Sequence, residues 1–212
     1  MNNRNKLKLD SLIERLSIDY RCTQVMSAER FKELEERLSI KIPQDYQYFC
    51  QVLGSGRLDS FIDVYCLVDN LILEGEFLTQ YMIDNMNQYR EIRINNPEEQ
   101  EFYKTRDEAS YIELLKSALI FGFHNGETAF FWDLRTYDPQ DDAYDIYYYD
   151  IYESQDEQPV KIGRNFTDFI CDFGYGQLSC QLMPDIFDES PRVVEYSFYG
   201  HYWDDESRDI KE

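Results

Sequence analysis

Carboxylates and tyrosines are the side chains whose types and spacing could do chemistry in this chain. The segment 137–158 contains no Lys or Arg but carries eight acids among six tyrosines. Carboxylates form charge-assisted hydrogen bonds with Arg and Lys, and tyrosine offers a large, rigid contact area with a polar tip. The segment therefore predicts a surface that binds a basic protein. We expect its contact residues to be Asp138, Asp141, Asp142, Asp145, Tyr147, Tyr149, Asp150, Tyr152 and Glu153.

Strand periodicity indicates which of these side chains share a face. If Tyr144, Ile146, Tyr148 and Tyr152 face inward, then Asp145, Tyr147 and Tyr149 face outward, although the reverse parity is also open. A core strand with solvated acidic flanks is the alternative interpretation, since runs of charge are usually solvated. A second cluster of the same kind, 203–206, follows several aromatic residues near the end of the chain. It could extend the surface or belong to a frayed tail.

A calcium loop would be a rival use of the same acids, but the spacing fits poorly. Counting from Asp138, Ala143 stands where such a loop needs glycine and Tyr149 stands where it needs a bidentate Glu. We expect neither a metal nor a cofactor.

Residues for catalysis are sparse. His124 and His201 are the two imidazoles, and His124 lies in a turn beside Asn125 and Gly126, which is typical of a tolerant turn residue. The chain lacks a nucleophile elbow, zinc-ligand spacing and a phosphate-binding glycine loop. Trp132 and Asp133 are interpreted as structural, with Asp133 accepting backbone hydrogen bonds near a turn. The prediction is a protein that is not an enzyme.

The net charge of −21 disfavours nucleic acid and anionic membranes as partners, because like charges repel. The alternative to a basic partner is that the acidity only keeps the protein soluble. The N-terminal segment has no signal-peptide pattern and no run is long enough to span a bilayer. The five cysteines are odd in number and scattered, which fits reduced thiols. We expect a cytoplasmic location, and the oligomeric state stays open.

The elements that must position these residues follow an order of helices, sheet and helix. Segment 27–38 predicts an amphipathic helix with Ser27 as N-cap, and 43–54 predicts a second helix that ends at Gly54. Segment 61–68 predicts a strand, whereas 74–116 is ambiguous between helical stretches near 81–89 and 111–116. An Asn125-Gly126 hairpin joins strands on either side, and 144–152 and 159–163 predict further strands.

The closing elements are a helix over 165–174, with Asn165 as N-cap and Gly174 at its end, and a strand within 193–203. The simplest fold class is α+β, with a mostly antiparallel sheet packed by helices in one domain. We divide the chain into a helical lead-in (1–26), the domain (27–176) and an acidic, aromatic C-terminal extension (177–212).

Four motifs in this order resemble the SMI1/KNR4 (SUKH) family over roughly residues 27–174. They are the entry FKELEERLSIKIPQDYQYF, the strand ALIFG, the strand FFWD and the closing helix NFTDFI. The family's usual Asn-Gly-Gly turn is Gly54-Ser55-Gly56 here, and 70–117 is longer than the family pattern leads us to expect.

The resemblance implies an α+β fold and, for bacterial members, service as immunity proteins that neutralise polymorphic toxins, many of them nucleases. A nuclease needs basic residues to grip phosphates, so an acidic inhibitor could cover that site. The resemblance also allows a regulatory or scaffolding role, as in eukaryotic members. A nucleic-acid mimic that acts by charge alone and a weak hydrolase using His124 or Asp133 are further alternatives.

Overall fold

The computed structural model describes residues 1–19, 25–59, 62–96, 108–151, 158–176 and 196–200. Within these ranges the helices are α1 (Asn3–Ile13), α2 (Ala28–Leu38), α3 (Gln44–Val52), α4 (Asp69–Asn95), α5 (Glu108–Lys116) and α6 (Phe166–Asp168). A π-helical segment, Phe169–Gly174, continues α6. The strands are β1 (Ser17–Asp19), β2 (Gly56–Leu58), β3 (Ile62–Val64), β4 (Ala118–His124), β5 (Thr128–Asp138), β6 (Ala143–Asp150), β7 (Val160–Gly163) and β8 (Ser197–Gly200).

The described strands form one sheet in the order β1-β8-β2-β3-β4-β5-β6-β7. The β1–β8 pair is parallel and the other neighbours are antiparallel. The predicted α+β class with a mostly antiparallel sheet is therefore confirmed. Strand β8 comes from the predicted C-terminal extension, yet it lies inside the sheet between β1 and β2. The domain boundaries themselves stay a prediction.

The entry helices form as the sequence pattern predicts. The Ser27 side chain accepts the Arg30 N–H at 3.2 Å, and Phe31 and Leu34 are buried. Helix α3 has Pro43 at its N-cap, which offers no side-chain acceptor, and buries Tyr46 and Phe49. Gly54 follows α3 with a φ of 78°, in the left-handed region that favours glycine.

The central hairpin also forms as predicted. Asn125 and Gly126 connect β4 and β5 with φ values of 50° and 74°, the two left-handed residues that a tight hairpin turn of matching twist requires. Strand β5 is longer than expected and ends at Asp138, so that only 139–142 connect it to β6. The predicted strand near 61–68 is short, since β3 spans Ile62–Val64.

The ambiguous middle region is mainly one long helix. Helix α4 has 27 residues, and α5 follows it after residues that are outside the described ranges. Apolar residues on more than one side of α4 blur the periodicity that identifies a helix, which explains why the sequence pattern was ambiguous there.

One face of the sheet packs on an aromatic cluster contributed by α3 and α6. The Tyr46 ring lies 4.9 Å from Trp132 and 5.1 Å from Phe166, both edge to face. Phe121 stacks on Trp132 at 4.4 Å, and Phe130 lies 5.2 Å from Phe169. This cluster is the core that holds β4 and β5 against the helices.

Asp45 ties three helices together beneath that cluster. One of its carboxylate oxygens accepts hydrogen bonds from Asn5 Nδ2 at 3.3 Å, the Thr167 N–H at 3.0 Å and the Thr167 hydroxyl at 2.9 Å. Burial raises the pKa of Asp45, while the bonds from Thr167 oppose that shift. Helices α1, α3 and α6 are therefore joined at one carboxylate.

Helix α4 lies against the opposite face. A Cβ at Gly75 would sit 3.6 Å from the Ile120 Cβ, so the helix backbone approaches β4 closely. Ile120 pairs with Phe131, and Phe131 pairs with Tyr147. Directly paired residues share a face, so these three side chains point away from the aromatic cluster around Tyr46.

None of the helices in the described ranges combines the length and apolar character that a bilayer-spanning segment needs.

Candidate partner-binding site

The β5–β6 hairpin carries most of the acids that the sequence analysis selected, but it does not gather them at one point. Asp138, Asp141 and Asp142 lie at the hairpin loop, and Asp145 follows shortly after it. Asp150 is at the other end of β6, roughly 26 Å from Asp142 at about 3.3 Å per residue. Tyr152 and Glu153 are outside the described residues, as are Asp156, Glu157 and the second cluster at 203–206.

Asp142 has a structural task in the hairpin loop. One carboxylate oxygen accepts the Gln44 N–H at 2.9 Å, and the other accepts the Tyr137 hydroxyl at 2.9 Å. Helix N-termini leave backbone N–H groups without acceptors, and Pro43 cannot supply one. Asp142 therefore caps α3 from a distant part of the chain and joins the hairpin to that helix.

Asp138 and Asp141 differ in how much of their carboxylate remains available. Asp138 accepts the Gln140 N–H at 2.8 Å and lies 3.7 Å from an Arg164 guanidinium nitrogen. Asp141 is exposed, and its carboxylate has no hydrogen bond or ion pair to the other described residues. It borders a cavity of about 220 Å³ between the loop and the start of α1. Asp141 is thus the acid of this loop that is most available to a partner.

Asp145 is neutralised by basic residues from outside the acidic run. Lys161 on β7 places its ammonium 2.6 Å from one Asp145 oxygen, and the Arg164 Nε lies 3.8 Å from the other. Although the segment 137–158 contains no Lys or Arg, basic residues from elsewhere in the chain therefore lie close to it. The sequence could not reveal this, because the register of β7 against β6 decides which cations come close.

The two tyrosines that share this face of β6, Tyr147 and Tyr149, differ in burial. Of the two parities that the sequence left open, the structure has the first, since Tyr147 pairs with Phe131 and Tyr149 with Ala129 on the face opposite to Trp132. Tyr147 is half-buried and stacks on Phe131 with ring centroids 5.8 Å apart. Tyr149 is fully buried, so its predicted exposure to solvent is wrong. Alternation assigns a side chain to a face of the sheet, and this end of that face is covered by protein instead of water.

A groove of about 610 Å³ adjoins the hairpin loop on the side of α2. Its lining comprises Lys32, Glu35, Glu36, Ser39, Ile40, Lys41, Leu134, Tyr137 and Tyr144. The Tyr144 hydroxyl donates to the Lys41 carbonyl at 2.8 Å, which fixes residues 40–43 (the IKIP link between α2 and α3) against β6. Burial, with the Tyr137–Asp142 hydrogen bond, raises the pKa of Tyr137. The groove and the acidic loop are therefore one continuous surface, joined by Tyr137.

The α2 contribution to this groove was missed in the sequence. Glu35 accepts the Ile42 N–H at 2.9 Å and pairs with Lys41 at 3.4 Å, whereas Glu36 remains exposed. The pattern showed a charged helix face but offered no signal for the strands that this face would approach. Only the folding of the IKIP link over β6 brings α2 beside Tyr137.

The other residues considered for chemistry have structural surroundings. The Asp133 carboxylate accepts the Ser117 hydroxyl at 2.7 Å, the Arg135 N–H at 3.1 Å and two guanidinium hydrogen bonds from Arg135 at 2.8 Å. The predicted structural role is present, since Asp133 accepts the backbone N–H of Arg135, but Asp133 lies within β5 and not near a turn. His124 lies beside the Asn125 amide at 3.2 Å in the β4–β5 turn, and His201 is outside the described residues.

Metal-binding geometry is missing from the part of the chain that the structure describes, where no three His, Cys, Asp or Glu side chains converge on one point. Ala143 and Tyr149, which a calcium loop would need as its glycine and its bidentate ligand, are buried strand residues of β6. The described thiols of Cys50, Cys66 and Cys171 form no disulfide.

Comparison with known proteins matches the domain as a whole. The model of the SMI1 / KNR4 family (SUKH-1) matches residues 26–172 of the 212. This range contains α2 to α6, β2 to β7 and most of the π-helical segment that follows α6, in the order of helices, sheet and helix that the motifs predicted. No curated protein and no solved structure matches this chain significantly. The match covers more than half of the sequence, and the chain therefore belongs to the SMI1/KNR4 family (SUKH-1).

Proposed function

We propose that this protein binds and neutralises a cognate protein toxin, and that the toxin is a basic, nuclease-type protein. Membership of the SUKH family supports an immunity-type role in general. The observation that carries the finer proposal is the acidic hairpin loop with its exposed Asp141. The nearby groove is lined by Glu35 and Glu36 together with Lys32 and Lys41.

Electrostatics supports this partner class. A nuclease must present Lys and Arg to hold phosphates, and an inhibitor with a net charge of −21 attracts such a surface over long range. Complementary charge accelerates encounter to on the order of 10⁸ M⁻¹s⁻¹ at low salt. The inhibitor would then block the toxin by occupying its phosphate-binding surface, without performing a reaction.

Shape supports the choice of surface. The groove provides a concave site of about 610 Å³, and the half-buried ring of Tyr137 lines it together with Tyr144. Interfaces concentrate their energy in aromatic and charged anchors near the centre, surrounded by a polar rim. Asp141 and Glu36 are in a position to pair with Arg or Lys at such a rim.

The test is co-expression with the toxin domain encoded beside this gene, together with binding kinetics at several salt concentrations. We expect the wild-type chain to protect cells and its association rate to fall as salt rises. The Asp141→Lys and Glu36→Lys substitutions together should weaken binding by roughly tenfold or more, a loss of about 1.4 kcal/mol.

Glu127→Lys combined with Glu14→Lys is the matched control. Both residues are exposed, and the two changes alter net charge equally. Glu127 adjoins the β4–β5 turn at the far end of β5. Control binding should stay close to wild type. A wild-type chain that neither binds nor protects would contradict the proposed function and favour a regulatory role. If the Asp141/Glu36 variant and the control variant lost equal affinity, the proposed function would remain, but the hairpin loop would not be a contact site.

A further inference from the structure

Helix α4 presents three large apolar side chains to solvent in one line. Leu73, Phe77 and Tyr81 are spaced four residues apart and are 61%, 70% and 40% exposed. Residues four apart lie above one another on a helix, so the three form a continuous apolar stripe. Of the eight exposed large apolar residues in the described ranges, these are the three that share a helix face.

The stripe does not belong to the core. Leu71, Met82 and Met86 of the same helix are buried, and Gly75 faces Ile120 of β4. At 100° per residue, Leu73, Phe77 and Tyr81 lie on the side opposite to these inward positions. A surface helix normally carries polar residues on that side, so an apolar outer stripe indicates a contact that the described residues do not supply.

The charges that α4 itself carries beside the stripe have one sign, although Arg30 and Arg37 pair with Asp69 at its start and Lys116 lines the cleft with Glu76. No Lys or Arg occurs between Asp69 and Tyr89, whereas Glu74, Glu76 and Asp84 lie on turns beside the stripe. Two copies of this chain meeting at α4 would bring like charges together, on molecules that each carry −21. The complementary surface has an apolar centre with Lys and Arg around it.

The sheet-facing edge of α4, rather than the stripe itself, adjoins the candidate site. A cleft of about 210 Å³ lies between α4 and the sheet, with Gly75 and Glu76 on one wall. Its other wall includes Ile40 and Leu134, which also line the groove beside Tyr137. The groove therefore continues to the edge of α4 at Glu76, which precedes Phe77 of the stripe in sequence.

We propose that the α4 stripe, Leu73, Phe77 and Tyr81, is a second docking surface for a protein whose contact patch is apolar at its centre and basic at its rim. This inference rests on the proposed function for the identity of the partner, the cognate toxin, and it adds the chemistry of a second contact. The apolar side chains provide burial, and the flanking carboxylates select a basic partner over an acidic one.

The experiment uses the full chain and two probes. One is the toxin domain, and the other is a synthetic amphipathic helical peptide of Leu and Lys, titrated by fluorescence anisotropy. We expect saturable binding of the peptide, and at least tenfold weaker binding by the double variant Leu73→Ser and Phe77→Ser. Leu7→Ser is the matched control, because Leu7 is 69% exposed on α1. It should bind like the wild type.

Several results would overturn the inference. One is unchanged peptide affinity in the double variant, and another is equal binding of a peptide with Leu replaced by Ser, which would indicate charge alone. A wild-type dimer in sedimentation that dissociates in the double variant would assign the stripe to a second copy. A lower midpoint of thermal unfolding for the double variant than for Leu7→Ser would mean that the chain itself covers the stripe.

The toxin arm separates the two proposals. If the toxin fails to bind the wild-type chain while the peptide binds at α4, the toxin assignment fails and the surface stands. If the toxin binds wild type and double variant equally and the peptide does not bind, the immunity function stands and the α4 inference is wrong.

Discussion

Asp142 accepts the backbone N–H of Gln44 at 2.9 Å across 98 residues of sequence, and so caps helix α3 from the tip of the β5–β6 hairpin. The contact joins the acidic loop to the helix that begins at the Pro43-Gln44-Asp45-Tyr46 part of the entry motif. It also divides the acids of the loop into those that hold the fold and those that remain available.

Substitution at the loop should separate these two classes. Asp142→Ala removes the α3 cap and the acceptor of the Tyr137 hydroxyl, so the free energy of unfolding should fall by about 0.5–2 kcal/mol. Asp141→Ala should change it by less than about 0.5 kcal/mol, because that side chain is exposed. Urea unfolding monitored by circular dichroism measures both. Equal losses in the two variants would mean that the cap contributes nothing.

The tyrosines of β6 should differ in the same way. Tyr149→Ala opens a cavity at a fully buried site and should cost about 3–5 kcal/mol of unfolding free energy. Tyr147→Ala removes a half-buried ring stacked on Phe131 and should cost less, about 1–2 kcal/mol. Thermal and urea unfolding of the pair give the comparison. A larger loss at Tyr147 than at Tyr149 is incompatible with the burial described above.

Two glycines of the sheet offer a matched test of backbone approach. A Cβ at Gly122 would lie 2.5 Å from the Asp63 carbonyl oxygen on the neighbouring strand, so Gly122→Ala must push β3 and β4 apart. We expect a loss of about 1–3 kcal/mol. Gly163→Ala meets no atom within 4 Å and should be neutral within about 0.5 kcal/mol. Urea unfolding of the two variants measures the difference, and equal stability of the two would contradict the close β3–β4 approach.

Asp133 should give the stability a defined pH dependence. Burial opposes ionisation, but hydrogen bonds from Arg135 and Ser117 prevail and lower the pKa of Asp133. Because the folded-state pKa lies below the unfolded value of about 3.9, this carboxylate stabilises the fold above that pH. The contribution is lost as pH falls below about 3.9 towards the folded-state pKa.

Asp133→Asn tests this dependence. The variant should be about 1–3 kcal/mol less stable than the wild type at pH 7, and the difference should shrink below about pH 4. Urea unfolding at pH 7, 5, 4 and 3.5 provides the curve, with Asp141→Asn as the control for removing one exposed carboxylate. A difference that grows as pH falls would have the wrong sign.

Much of the fold could be predicted from local sequence signals. Ser27 and Asn165 mark helix starts because their side chains accept backbone N–H groups within one turn. Asn125-Gly126 marks the hairpin because few other residues adopt left-handed conformations at both positions. These signals act over three or four residues, and the structure contains each of them.

Other features depended on contacts that no local pattern encodes. The alternation in β6 indicated that Asp145, Tyr147 and Tyr149 share one face, but it could not indicate what covers that face. Lys161 reaches Asp145 only through the pairing of β7 with β6. The length of α4 was hidden because apolar residues on its outer side obscured the helical period.

The sequence by itself determined the α+β class, the family and the acidity that favours a basic partner, because these follow from composition, short motifs and total charge. Only the tertiary structure decided which acids are available. Asp142 and Asp145 are engaged by groups brought from Gln44 and Lys161, while Asp141 stays exposed. The physical reason is that a carboxylate's availability depends on the donors that folding brings within about 3 Å of it. Those donors can come from residues that are far away in the sequence.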